Sequence, residues 1–464
     1  MQTKSVIPSV GRFKWLPIVA LLSGVFTEVH AQDFFRNIGT SRSSGGIGPG
    51  ISTSDYSYTN AAPSEMHRLT PVDTQDNDKY NFALGPLRFG IAVGVGIEWN
   101  DNINLSDDNR ESDFILRPLI NLDIAWPISD HSTLKLTLGA SWAKYFDHSE
   151  FDSGGLIVSP TSALEMGIDV GAVHITLRDR FSYQEDPYSA VVLNNVANYR
   201  RYENQAGIEV DWPINENVNF AIGYDHFNLW TNGSEFSSQD HSIDTIYMRP
   251  TVQVTPGIKA GLFASYSAIA YDDSARSDAK AFMVGPTVDI KFNDHLSLYA
   301  EVGYQSIDND GTSNFEDVDD QLFSGLSPAD KALFNDSSDS SGIYFKVELA
   351  HKASPIFEHA VTASRTAELG FTSNTYDLYH FEYSANFKGI RNTEIGPLLF
   401  YDHYTTSGDL SETADRYGAA LGIRHHLTNS ITIGLDYRFI YQNSDVPHAD
   451  YYQNLVFLSA YYRF

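Results

Sequence analysis

The sequence predicts an all-β fold: a transmembrane antiparallel β-barrel of about 18 strands, with short periplasmic turns and long extracellular loops. Three observations predict it. Apolar and polar residues alternate with period two from Leu87 to the last residue, short and long connections take turns, and the two ends carry the marks of an exported chain.

At the N-terminus, Lys4, Arg12 and Lys14 precede the apolar run "WLPIVALLSGVF", which leads through "VHA" into polar residues. Charged, greasy and small-residue regions in that order predict a secretory signal over residues 1–31, cleaved after Ala31. The run is too short for a helix of roughly 20 residues to span a bilayer. Residues 32–85 are rich in Ser, Gly, Thr, Asn and Asp without periodicity, the composition of a flexible periplasmic extension. The barrel is expected over residues 86–464.

Its first strand is "LRFGIAVGVGIEW". Phe89, Ile91, Val93, Val95, Ile97 and Trp99 share one face, and Arg88, Gly90, Ala92, Gly94, Gly96 and Glu98 the other. Phe114, Leu116, Ile120, Leu122, Ile124 and Trp126 stand likewise against Asp113, Arg117, Asn121 and Asp123. A helix would need a period near 3.6, and almost none is present. Tight turns are expected at "WPISDH", "DVGAV", "WPINEN", "VTPGI", "KFNDH", "KASPI", "KGIRN" and "LTNS", interleaved with longer acidic or polar loops. The loop from Asp308 to Ser341 is the longest, and its "SPADKALF" predicts a short helix capped by Ser327 with Pro328 in the first turn.

An apolar face that runs from strand to strand, opposite a Gly-rich charged face, suits a closed barrel in lipid, where every backbone N–H and C=O is satisfied internally. Trp99, Trp126, Trp142, Trp212 and Trp230 all fall near strand ends, where aromatic girdles meet headgroups. Aromatics are 13% of residues, there is no cysteine and the net charge is -28. Disulfides and thiolate metal sites are thereby excluded, and phosphate-rich nucleic acid is an unfavourable partner.

The chain ends on "LVFLSAYYRF", with Phe464, Tyr462, Ala460 and Leu458 on one face. This resembles the C-terminal signal of Gram-negative outer-membrane proteins, which implies recognition by the barrel assembly machinery. At "VGVGIEWNDNINLSDDNRESDFILRPLINLDI" the chain resembles the β-barrel porin 2 family, a likeness spanning Pro86 to Phe464. The resemblance implies a channel in the cell outer membrane, some of whose relatives move exopolysaccharide outwards, with polysaccharide-export components as partners. It assigns no residue roles.

The polar face therefore supplies the lumen candidates. Arg88, Arg117, Lys135, Arg178, Arg180, Arg201, Arg249, Lys259, Arg424 and Arg438 are expected to face Glu98, Asp123, Asp169, Glu209, Asp211, Asp225, Asp289, Glu301, Glu348 and Asp436. Charges of both signs across a wet bore order water and favour polar solutes such as oligosaccharides, although any one of them serves equally to pair and solvate the wall. In "DNINLSDDN", Asp101, Asn102, Asn104, Asp107 and Asp108 offer oxygen donors, but without the Gly and final Glu of a calcium loop the segment is expected to be a solvated turn. The acidic stretch with Glu316, Asp317, Asp319 and Asp320 offers either donors for divalent ions that bridge lipopolysaccharide or an inward fold that narrows the pore, with plain exposed acidity as the expectation. No G-x-S-x-G occurs, and the histidines lack an obvious nucleophile to serve. The expectation is a channel in lipid and lipopolysaccharide with no cofactor, metal or catalytic residue. A non-conducting adhesin or scaffold is the alternative, and an outer-membrane enzyme a weaker one.

Overall fold

The computed structural model describes residues 80–464 apart from 160–161, 186, 188–191, 317, 319–322 and 324. The expected signal, and the extension up to residue 79, lie outside the described residues. Eighteen long antiparallel strands form the wall. They are β1 (Leu87–Asn100), β2 (Asp113–Ser129), β3 (Ser132–Ser141), β4 (Ala163–Val170), β5 (Val173–Gln184), β6 (Arg201–Pro213), β7 (Val218–Thr231), β8 (His241–Thr255) and β9 (Ile258–Tyr271). There follow β10 (Ala279–Asn293), β11 (Leu296–Asn309), β12 (Ser340–Ser354), β13 (Phe357–Leu369), β14 (Thr375–Ile390), β15 (Thr393–Thr406), β16 (Thr413–His426), β17 (Ile431–Ser444) and β18 (Tyr451–Arg463).

Each strand pairs with its sequence neighbours, and β1 pairs with β18 from Ala92–Arg463 to Asn100–Leu455, which closes the cylinder. A closed sheet leaves no edge to face lipid. The Phe464 N–H continues this seam to the Ile91 carbonyl at 3.2 Å. The Ile91 N–H in turn donates to Asn81 Oδ1 at 3.1 Å.

Period two fixes which side chains face out. Val95, Ile97, Leu435 and Leu458 are exposed large hydrophobics, whereas Glu98, Asp436 and Ser459, one position away, are buried. On β18, Leu458, Ala460, Tyr462 and Phe464 face outward, and Phe457 faces inward with no exposure. Its ring lies over Gly96 of β1, where a Cβ would overlap it. The Gly-rich inward face thus lets large side chains lie flat across neighbouring strands.

All eight tight turns fall on one rim, from 130–131 to 427–430, and the long loops on the other. Gly171 and Asn392 take positive φ in two of the turns, a conformation open to glycine and tolerated by asparagine. Ser327 accepts from the Asp330 N–H and caps the short helix Pro328–Lys331. One boundary differs from expectation. Phe82–Leu84 pairs with Leu87–Phe89, so the sheet begins inside the stretch read as extension. Gly85 at φ 61° permits the reversal.

Candidate functional site: the bore of the barrel

Inward positions near mid-height of β5 to β8 carry a buried polar network. Arg178 Nη2 donates to Asp225 Oδ2 at 2.8 Å and to Tyr247 Oη at 2.9 Å. The Tyr247 hydroxyl donates to Glu209 Oε2 at 2.7 Å, and Arg249 Nη2 reaches the same oxygen at 2.6 Å. Two cations, two carboxylates and one phenol on four strands satisfy one another, as buried charges must. Arg117 Nε lies 2.7 Å from Glu98 Oε2, and Arg424 Nη1 lies 2.6 Å from Asp436 Oδ1. Glu301 accepts from the hydroxyls of Tyr299 and Tyr344 at 2.6 and 2.7 Å.

Other candidates have different surroundings. Arg201 pairs along its own strand with Glu203 at 2.8 Å, and Arg438 donates to Gln453 Oε1 at 2.9 Å. Asp123 accepts from Thr137 Oγ1 at 2.5 Å. Arg88, Lys135, Arg180, Lys259, Asp289 and Glu348 occupy half-buried inward positions. Asp169 sits exposed at the short-turn rim, where His174 Nδ1 lies 2.7 Å away. Trp99, Trp142 and Trp230 stand near the long-loop rim, and Trp126 and Trp212 near the short-turn rim. All five are outward and partly exposed.

The loops change the picture most. "DNINLSDDN" is not a solvated turn: Asn102 and Leu105 have no exposure, and Leu105 packs with Leu398, Phe400, Ile440 and Tyr451 on the inner wall. Asn102 Nδ2 donates to the carbonyls of Ser106 and Tyr452, both at 2.8 Å. Leu105 takes φ 49°, a position rare outside glycine, so packing holds the backbone against its preference. The Leu105 carbonyl accepts from the Asn195 N–H at 3.0 Å, which ties in a second inward segment. There, Leu193, Val196 and Tyr199 form an apolar cluster with Phe236 and Phe371.

The longest loop adds an apolar cluster beside its acidic residues. Phe315, Val318 and Phe323 are buried together, although Glu316 is exposed and Asp317, Asp319 and Asp320 lie outside the described residues. Hydrophobic side chains in a loop are driven to bury, and these pack on one another and on Ala275 and Phe334 of the loops at the same rim. Burial works against the charge of Asp336, but hydrogen bonds from Ser407, Asn374 and Ser338 prevail and hold its carboxyl below the usual range. Glu412 is pushed the other way by burial.

Beneath this plug, the short-turn half of the bore holds a cavity of about 890 Å³. Its walls include Lys291, Lys352, Glu358, Glu394, Arg424 and Asp436, and the turn residues Gly257 and His295 carry it to the rim. Leu398 belongs to both the cavity and the cluster around Leu105. The bore thus holds a chamber with charged residues in its walls, under an apolar roof.

Two further features escaped the sequence reading. The inward positions Phe227, Leu229, Ile243, Ile269 and Ile307 are apolar and buried; they share the inward phase with Asp225, so strict alternation carried the signal. "YDH" occurs at Tyr224–His226 and again at Tyr401–His403. In both copies the central Asp turns inward to an arginine, Arg178 or Arg416. The flanking Tyr and His turn outward to one Asp of the next strand. Tyr224 Oη donates to Asp244 at 2.6 Å with His226 Nδ1 at 2.7 Å, and Tyr401 Oη to Asp415 at 2.7 Å with His403 Nδ1 at 2.8 Å. Among the described residues, Asp107, Asp108 and His448 form the one exposed cluster with metal-ligand geometry, at the long-loop rim.

Residues 248–464 match the family model described as outer membrane protein beta-barrel domain. The structure is similar to OpdL from Pseudomonas aeruginosa, with 12% identity, a TM-score of 0.44, and coverage of 82% of this chain and 100% of that one. It is also similar to a BenF-like porin from Pseudomonas fluorescens Pf-5, with 8% identity, a TM-score of 0.47, and coverage of 82% and 100%. No curated protein matches the chain.

Proposed function

We propose, taking an outer-membrane β-barrel as the premise, that this chain is a channel that passes polar, largely uncharged solutes such as oligosaccharide or exopolysaccharide segments. The observation that carries the reading is the chamber of about 890 Å³ inside a closed wall, open toward the short-turn rim. A scaffold that used only its outer loops would gain nothing from a hydrated cavity.

The electrostatics favour neutral cargo. Arg117, Arg178, Arg249, Arg416 and Arg424 each meet a carboxylate of the wall, so the bore offers hydrogen bonds of both polarities more than a ladder of uncompensated positive charge. Sugar hydroxyls donate and accept, and suit such a surface. No bond chemistry is required. The outward Phe464, Tyr462, Ala460 and Leu458 fit recognition by the assembly machinery, and the polar groups at the long-loop rim fit the lipopolysaccharide headgroup layer.

Reconstitution of the mature protein in planar bilayers tests the reading. The expected result is ion conductance that neutral oligosaccharides reduce more than anionic solutes of similar size. A folded barrel that inserts yet never conducts would favour the adhesin.

A further inference from the structure

The ladder of the wall is interrupted between β12 and β13. The ladder between β12 and β13 runs up to Phe345–Arg365 and stops there, although β12 continues to pair with β11 as far as Ser340 and β13 with β14 as far as Leu369. Above that point the register would place Ile343 opposite Ala367. Instead Ile343 is 65% exposed and Ala367 is 3% exposed.

The outer end of β13 has turned into the bore. Ala367 and Leu369 pack on Phe227, Leu229, Ile243, Ile269 and Ile307. Gln305 on β11 stands in for the missing strand: its Nε2 donates to the Ala367 carbonyl and its Oε1 accepts from the Ala367 N–H, both at 2.9 Å. The following turn, 370–374, is held across the mouth. Arg276 donates to the carbonyls of Gly370 and Phe371 at 2.7 and 2.9 Å, and Gln239 Nε2 to that of Phe371 at 3.1 Å. On the outer side, Arg365 fills the notch beside Gly342 and donates to the Ile343 carbonyl and to Asp377.

We infer that the outer end of β13 and the turn 370–374 form a gate with two arrangements: the latched one seen here, and a zipped one in which 366–369 pair with 341–344 and the turn is lifted from the bore. Both arrangements satisfy the Ala367 N–H and C=O, one through Gln305 and the other through the ladder. Two arrangements that satisfy the same groups differ by little and can be switched. This regulation rests on the channel reading above.

The chain has no cysteine, so a double variant Ile343→Cys/Ala367→Cys reports the zipped state alone. Under oxidation of the inserted protein, the bridge is expected to form and the bridged barrel to conduct more than its reduced form. Gln305→Ala, which strands both Ala367 backbone groups, is expected to raise the bridging rate about tenfold. Heat-modifiable electrophoretic mobility confirms that each variant is folded. A folded double variant that never bridges, or that bridges with unchanged conductance while the wild type conducts, overturns the gate. A bridge that forms in a barrel silent in every variant, wild type included, instead overturns the channel reading and leaves the two arrangements standing.

Discussion

The side-chain amide of Gln305 holds the Ala367 peptide by both its N–H and its C=O, at 2.9 Å each, and so acts as one residue of a strand that is missing from that position. Gln305→Glu keeps the acceptor and loses the donor, leaving the buried Ala367 carbonyl facing a carboxylate. A stranded buried group costs about 1–3 kcal/mol, so amide exchange over 366–369 is expected to accelerate by about tenfold or more while exchange elsewhere in β13 is unchanged. Hydrogen-exchange mass spectrometry of the protein in detergent checks this.

Leu105 seals the roof of the chamber. Leu105→Gly removes its contacts with Leu398, Phe400, Ile440 and Tyr451, and it also relieves the positive φ. Loss of a fully buried leucine side chain costs about 3 kcal/mol, which outweighs the conformational relief of about 1 kcal/mol. The segment 102–106 is expected to undock, with larger single-channel conductance and new protease sensitivity between Asn100 and Asp113.

Size exchange at the closing seam should be reciprocal. Gly96→Leu places atoms where the Phe457 ring lies and is expected to lower thermal stability by about 1–3 kcal/mol. Phe457→Ala in the same chain should recover part of that loss. Melting of heat-modifiable mobility reads both, and additivity of the two single effects would show that the residues do not share one space.

The network around Arg178 is predicted to matter more for integrity than for selectivity. Asp225→Ala leaves a buried guanidinium without its bidentate partner, a change that costs about 3–5 kcal/mol. The expected outcome is a sharply lower melting temperature in detergent, with ion selectivity of the surviving barrels close to that of the wild type.

Acid should loosen the long loop. The folded Asp336 carboxyl titrates below its ordinary value of 3.8 because of the hydrogen bonds from Ser407, Asn374 and Ser338 that outweigh its burial. Its contribution is therefore fully present above that ordinary value and is lost as pH falls through the lower folded one. Glu412, raised by burial above 4.5, has the opposite sign: its contribution is present below 4.5 and fades as pH rises through its folded value. Proteolysis of the 310–339 segment at graded acid pH should show protection decline below about pH 4 in the wild type, and a weaker dependence in Asp336→Asn.

Period-two alternation determined the strands, their number, the tight turns and the outward aromatic faces, because in an extended chain successive side chains leave on opposite sides whatever else the fold does. The same alternation marked Glu98, Arg117, Arg178 and Glu209 as inward. It was silent about partners: Arg178 meets Asp225 and Tyr247 across strands whose register no local pattern specifies. Tertiary structure alone decided that Asn102–Ser106 enters the bore and that β13 leaves its neighbour for the inner wall. Loops carry no period, and their placement follows from which cavity their few apolar residues can fill. A barrel wall is therefore legible residue by residue, while its mouth and roof depend on distant contacts that exist only once the cylinder has closed.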